Sequence, residues 1–231
     1  MLSVLILILS AIGAGSTVNA HTFPAYVPYE FKTMSGLDAS DFKSAMKVSQ
    51  RSDHISAYFQ DPDTRSLTLA FFETLTGDFS IAETILVQSI QRDVSPALAF
   101  ALAYEESSFN PRAFNRNEKS VDRGIFQLNS LSFPTLGVEE FYDIGTNVRL
   151  GVAHLAFCLQ SGGNDVAALA VYNAGLGRVS KGGTPRRTLD YIYKITGNRD
   201  RLEALFEAQV VAKHSESSSL AALKPASSFQ Y

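Results

Sequence analysis

Glu105 and Glu106 stand side by side at the end of an apolar run, Ala97 to Tyr104, that contains no charged residue. A carboxyl group placed there can act as an acid. An ordinary Glu has a pKa of about 4.3, is ionised at neutral pH and has no proton to give. A rise of about two units, or about 2.7 kcal/mol, keeps the proton on. Two features push in that direction. Apolar surroundings disfavour the carboxylate by desolvation, and the C-terminal end of a helix carries the negative pole of its macrodipole. Such an acid can protonate a leaving oxygen, and the carboxylate left behind can take a proton back, which is the chemistry that cleaving a glycosidic bond needs. Two acids also mark the place where any buried helix reaches water. The helical wheel does not separate them, because both flank the face of Leu98 and Leu102.

A third acid, Asp122, lies in Ser120-Val121-Asp122-Arg123-Gly124-Ile125-Phe126-Gln127-Leu128-Asn129-Ser130. As a turn residue it would bond local backbone. As a partner of the first acid it would serve as nucleophile or stabiliser in hydrolysis. His21, His54, His154 and His214 are scattered without metal-ligand spacing, so no metal site is expected. No Gly-rich phosphate loop and no nucleophile elbow occur, Lys181-Gly182-Gly183 reads as a flexible loop, and no cofactor is called for. Tryptophan is absent, so stacking on a sugar falls to Tyr or Phe. Cys158 is the only cysteine. It cannot form an intramolecular disulfide, and within Leu155-Ala156-Phe157-Cys158-Leu159 it reads as a small buried hydrophobe.

The elements that position these residues are helical. Ser95-Pro96 is an N-cap followed by proline at the first helical position, and the helix it opens runs to about Ser108, before Asn110-Pro111 breaks it. A helix apolar on all sides is a central one. Upstream, Asp41 to Gln60 can hold one or two helices. Leu67, Leu69, Phe71, Phe72 and Leu75 form a helix that starts at Thr64 and stops at Gly77. Ser80 with Glu83 predicts a capping box for the next helix, whose stripe is Ile81, Ile85, Leu86 and Ile90. Downstream, the pattern predicts helices over Asn147 to Gln160, Asp165 to Asn173, Thr188 to Ile195 and Asn198 to Lys213. His214 to Tyr231, rich in Ser and Ala, reads as a disordered tail. Strand-like runs are few, and the fold class is mainly α.

The chain has 231 residues, of which 45% are hydrophobic and 19% charged, enough for a packed core. A net charge of −3 gives no electrostatic case for nucleic acid or an anionic membrane surface. The apolar stretches Val4 to Leu9 and Ala11 to Ala14, followed by Val18-Asn19-Ala20, resemble a signal peptide cleaved after Ala20, although no Lys or Arg precedes them. They are shorter than the roughly 20 residues that span a bilayer. Export to the periplasm or cell wall is therefore expected. No cysteine stands at the cleavage site to indicate a lipoprotein.

Glu106-Ser107 with Phe109, Pro111 and Ala113, then Gly124-Ile125-Phe126-Gln127, then Tyr172-Asn173-Ala174-Gly175, then Thr188 and Tyr191, resembles the lysozyme-like lytic transglycosylases. Asp143, Asn147, Gly151 and Leu155 resemble the family's intervening helix. The chain departs from the family pattern at Asn115 (usually Ser), His154 (usually Tyr) and Arg187 (usually Glu). The resemblance implies a lysozyme-like catalytic domain over residues 82–196. A helical region of unknown role would precede it at 21–81 after a signal peptide at 1–20, and a C-terminal helix and tail would follow at 197–231. It implies cleavage of the β-1,4 bond between N-acetylmuramic acid and N-acetylglucosamine in peptidoglycan. Glu106 would protonate the scissile oxygen and then take the proton of the muramic acid C6 hydroxyl, giving a 1,6-anhydro end. Ser107, Gln127, Asn129, Tyr172, Asn173 and Tyr191 would bind the glycan. The segment around Asp122 also resembles the second-carboxylate segment of animal-type lysozymes, so a hydrolytic muramidase using Glu106 and Asp122 stays open, as does a non-catalytic peptidoglycan-binding protein. Glycan strands are the expected partner of a monomer with no nucleic-acid role, and proteins of an envelope-spanning assembly are further candidates.

Overall fold

Capping and burial decide where each helix of this chain starts and stops. The computed structural model describes residues 53–222, which fall within a unit beginning at Ser52. The expected signal peptide, the expected N-terminal region up to residue 52 and the end of the expected tail from residue 223 lie outside the described residues. Helix α1 (His54–Gln60) is capped by Asp53, and α2 (Arg65–Thr76) stops at Gly77, whose φ of +73° needs a glycine. Helix α3 (Phe79–Gln91) is capped by Asp78, which accepts from the Ile81 N–H at 3.0 Å. The expected cap, Ser80, therefore lies inside the first turn. Asp78 sits in extended backbone, and its carboxylate is the stronger acceptor at the positive end of a helix.

Helix α4 (Pro96–Ser107) follows the expectation. Ser95 caps it, and every residue from Pro96 to Ala103 is buried. Three short antiparallel strands come next, β1 (Phe114–Arg116), β2 (Val121–Arg123) and β3 (Leu128–Asn129), in the order β1-β2-β3. They pair Asn115 with Asp122 and Asp122 with Asn129. Their residues are mostly exposed or half-buried, so they leave no alternation for sequence to show. Helix α5 (Ile144–Gly162) starts ahead of Asn147 because Asp143 caps it, bonding the Thr146 N–H at 2.8 Å. Helices α6 (Asp165–Ala174) and α7 (Leu176–Val179) lead into α8 (Arg186–Phe206).

Two corrections concern the C-terminal part. The helices expected over Thr188 to Ile195 and Asn198 to Lys213 begin as one, since α8 runs unbroken through Gly197. A glycine inside a helix costs about 1 kcal/mol, and burial of Ile192, Ile195, Leu202 and Phe206 along one side offsets it. A π-helical turn (Glu207–Val211) then joins α8 to α9 (Ala212–Ala222), so the expected tail opens as a helix. Ser215, Ser217 and Ser219 donate their hydroxyls to the carbonyls of Val211, Lys213 and Ser215, which keeps this polar stretch satisfied within the helix.

Helix α4 lies at the centre. Phe100 stacks on Phe72 of α2 with ring centroids 4.1 Å apart. Phe206, at the end of α8, packs edge-on against Tyr58 and Phe71 and beside Phe72. Phe72 lies before the domain start expected at residue 82 yet shares this core. On the other side α5 carries Gly151 against the buried Phe126 ring. A Cβ on Gly151 would lie 2.3 Å from the Phe126 Cγ. Gly151→Ala is expected to force Phe126 aside and destabilise the fold by about 1–3 kcal/mol. Urea or thermal denaturation checks this. A melting temperature unchanged from wild type would show that the ring has room to spare.

Candidate active site

The C-terminus of α4 separates the two acids that the helical wheel leaves equivalent. Glu105 accepts a 2.8 Å hydrogen bond from the Lys194 ammonium of α8, close to solvent. Glu106 pairs with no cation among the described residues. Its Oε1 accepts a hydrogen bond from the Tyr191 hydroxyl, one turn earlier on α8, at 2.5 Å. Burial raises the Glu106 pKa from 4.5 to about 7. The Tyr191 hydroxyl pulls it down, and the charges of Asp122 and Glu105 push it up further. Burial, with the charge of Glu106 next in size, holds the Tyr191 phenol well above its ordinary pKa, so it remains a donor. The pair is a carboxyl group that carries its proton for part of the time near neutral pH, beside a fixed neutral hydroxyl.

Ser108 and Phe109 both take positive φ, +51° and +63°, which ends α4 and turns the chain so that Phe109 is buried against Phe100. The turn Gly124-Ile125-Phe126-Gln127 then comes back beside the helix end, and side chains hold its backbone. Ser107 Oγ donates to the Ile125 carbonyl at 2.8 Å and lies 3.2 Å from that of Ala103. The buried Asn147 of α5 accepts from the Phe126 N–H at 2.8 Å and donates to the carbonyls of Arg123 and Phe141. The Tyr172 hydroxyl donates to the Phe126 carbonyl at 2.9 Å. Gly124 (φ +76°) leaves the space Asn147 occupies, since a Cβ there would lie 2.2 Å from Asn147 Nδ2. Gln127 adopts φ +46° and donates its side-chain amide to the Gly124 carbonyl at 2.9 Å. A non-glycine residue in that region is strained by about 1 kcal/mol or more and persists only where its surroundings over-determine it.

Asp122 does not bond local backbone as a turn residue would. Its Oδ2 accepts from the Asn117 and Asn115 side-chain amides at 2.7 and 3.2 Å, and its Oδ1 from Asn129 at 2.7 Å. Register explains the arrangement, because Asn115 and Asn129 are the residues opposite Asp122 on the flanking strands. Three amide donors orient this carboxyl group and give both of its oxygens a partner.

Of the residues expected to bind glycan, Ser107, Asn129 and Tyr172 have their polar atoms engaged inside the protein. Asn129 bonds Ser120, Asp122 and the Leu131 N–H. These three therefore hold the turn and the strands in place through the same atoms that the resemblance assigns to sugar contact. Asn173 is exposed. Its Oδ1 accepts from the buried Thr188 hydroxyl at 2.7 Å, and its amide is uncommitted among the described residues. Gln127 Oε1 is likewise uncommitted. His154, in place of the family's Tyr, packs on Tyr172 with centroids 4.8 Å apart, and burial lowers its pKa so that the neutral ring is favoured. Burial pushes the Cys158 thiol up to about 12, as suits a core residue. Reading the sequence alone missed Asn147 as the pin of the turn and Lys194 as the partner of Glu105. Each acts through a contact distant in sequence, and only the polar residue on an otherwise apolar helix face hints at Asn147.

The family described as Transglycosylase SLT domain matches residues 83–194, close to half of the chain. Among solved structures, the lytic transglycosylase Slt from Pseudomonas aeruginosa, determined as an inactive mutant, is similar at 23% identity with a TM-score of 0.46. The match covers 55% of this chain and 24% of that one.

The raised carboxyl has a consequence for stability. A folded-state value of about 7 against an ordinary 4.5 means that the protonated Glu106 favours the native state. That contribution is complete below about pH 4.5 and is lost as pH rises to 7. Glu106→Gln is thus expected to change stability little at pH 4 and to stabilise the fold by up to about 3 kcal/mol at pH 8. Urea denaturation at both pH values measures it. An equal effect at the two values would mean that Glu106 ionises as an exposed residue does.

Proposed function

We propose that this chain, whose residues 83–194 match the transglycosylase SLT domain family, is an exported peptidoglycan lytic transglycosylase with Glu106 as its acid and then its base. The observation that carries this reading is a carboxyl group raised to about pKa 7, bonded by Tyr191 and paired with no cation among the described residues, while its neighbour Glu105 is paired. The protonated form gives its proton to the glycosidic oxygen between N-acetylmuramic acid and N-acetylglucosamine, and the bond to C1 breaks. The carboxylate then takes the proton of the muramyl C6 hydroxyl as that oxygen closes on C1. One 1,6-anhydro end forms, no water is consumed, and Glu106 ends the cycle protonated. A pKa near the working pH serves both steps, since the group must donate and accept in turn. Tyr191 orients the carboxyl, and the turn of Gly124 to Gln127, with Asn173, borders the space for the sugars. The first 20 residues would direct export to the periplasm or wall.

A second reading is hydrolysis by a muramidase, and the orientation of Asp122 by three asparagine amides favours it. Mass spectrometry of the muropeptides released from peptidoglycan separates the two. The transglycosylase gives anhydro-muramyl ends about 18 Da lighter than reducing ends, the mass of one water. Reducing ends would transfer the reading to Glu106 with Asp122, and no release at all would leave a glycan-binding protein.

Two variants examine the acid. Glu106→Gln is expected to lower kcat by about 10²–10⁴ with binding retained. Activity near wild type would remove Glu106 from the reaction. For Tyr191→Phe, loss of the bond that lowers the Glu106 pKa should move the alkaline limb of the kcat/KM profile upward from about pH 7. An unmoved limb would show that a different group sets it.

A further inference from the structure

Between Asp165 and Asp190 the chain carries Arg178, Lys181, Arg186 and Arg187 and no acidic residue, although its net charge is −3. All four are exposed. Arg65, Arg112, Lys194 and Arg199 each pair with a carboxylate, whereas none of these four makes an ion pair among the described residues. The segment that bears them is built rather than loose. After Gly175, the backbone closes on itself through Ser180 N–H to the Leu176 carbonyl (2.9 Å), Gly182 N–H to Val179 (2.9 Å) and Gly183 N–H to Arg178 (3.1 Å). The Lys181-Gly182-Gly183 loop read as flexible is therefore tied by backbone bonds.

Both ends of this basic excursion belong to the candidate site. It leaves from Asn173 and returns at Thr188, and these two residues are joined by the 2.7 Å bond between their side chains. Tyr191, one turn further along α8, reaches Glu106. The site itself is acidic, with Glu105 and Asp122 near the Glu106 carboxyl group. An anionic polymer approaching it meets a repulsive centre, and a positive rim is the feature that reverses the field locally. A lipid surface fits less well, because Leu176 is the one large hydrophobic side chain exposed between Asn173 and Thr188, too little to insert beside four cations.

We propose that Arg178, Lys181, Arg186 and Arg187 form a cationic rim that binds the carboxylates hanging from the muramyl residues of the glycan, so that the enzyme prefers anionic strands over neutral ones of the same backbone. This rests on peptidoglycan being the substrate. The carboxylate has two sources, the peptide stem or, where the stem has been removed, the lactyl group of the muramic acid itself.

The test uses full-length protein carrying Glu106→Gln, so that binding is read without turnover, with and without the four changes Arg178→Gln, Lys181→Gln, Arg186→Gln and Arg187→Gln. Co-sedimentation is measured with insoluble peptidoglycan, with the same material stripped of stems by an amidase, and with neutral chitin, at low and high salt. Melting curves confirm that the rim variant is folded. Binding to peptidoglycan should fall about tenfold at low salt while the change on chitin is small, and the gap should close at high salt. A gap that survives stripping assigns the lactyl carboxylate, and one that disappears assigns the stem. Equal losses on peptidoglycan and chitin, no loss on peptidoglycan, or tighter binding to phosphatidylglycerol vesicles than to peptidoglycan would each overturn the proposal. Wild-type protein that binds in this charge-dependent way but releases no muropeptides would instead defeat the transglycosylase reading and leave the rim standing.

Discussion

A carboxyl group held out of water at the end of an apolar helix is the constraint around which this structure is arranged. Desolvating an acid is unfavourable for its charged form, and the group answers by keeping its proton. That outcome requires α4 to be covered on every side up to Ala103, and the neighbouring helices do the covering. Phe72 reaches it from α2, and α8 lies along it. The long α8 matters most, because the same helix brings Tyr191 to Glu106 and Lys194 to Glu105. Its buried Ile192 and Ile195 fix the rotation that makes both contacts possible. Core packing and proton placement are in this sense one feature.

The turn opposite Glu106 obeys a different rule. Irregular backbone cannot satisfy its own N–H and C=O groups, and where it is buried, side chains must do so. Asn147, Ser107, Tyr172 and Gln127 divide that work among the backbone groups of residues 123 to 126. The left-handed conformation of Gln127 is tolerated because so many bonds determine the turn around it. Ser107 and Tyr172, which the resemblance assigns to the glycan, thereby also hold the shape of the turn. Gln127 and Asn173 keep polar atoms uncommitted among the described residues.

Much of this was legible in the sequence and some of it was not, for reasons that differ by residue. The course of α4 follows from its cap, its proline and its unbroken apolar run, all of them local. The acid at its end was legible from the helical pattern as a type but not as an individual, because adjacent positions share a helical face; the family resemblance pointed to Glu106, and the physical difference lies in Lys194 and Tyr191, far along the chain. The cap of α3 was misplaced because Ser80 fits a capping box while Asp78 makes the stronger bond. The strands around Asp122 are too short to show a period, so the asparagines that surround it were invisible as a group until register set them opposite one another. Gly197 looks like a helix end in a list of residues, and it does not end α8, because tertiary burial on either side outweighs its propensity. The helix through Ala222 was hidden by a serine content that suggests disorder, and those serines bond back to their own helix.

The neighbours of Glu106 also bear on how well it can perform both halves of a proton cycle. Carboxylates repel, and the charges of Asp122 and Glu105 both add to the upward push on Glu106. A carboxyl driven far above neutral pH becomes a poor donor because it binds its proton too tightly, and one left at its ordinary value is seldom protonated when it is needed. Lys194 pairs with Glu105, while the Tyr191 hydroxyl stabilises the Glu106 carboxylate directly. Desolvation raises the value and the Tyr191 hydroxyl restrains it, so a pKa of about 7 emerges as a balance and not as the product of burial alone. Tyr191 and Lys194 sit one turn apart on the same face of α8, which makes that helix the element through which packing separates the two acids.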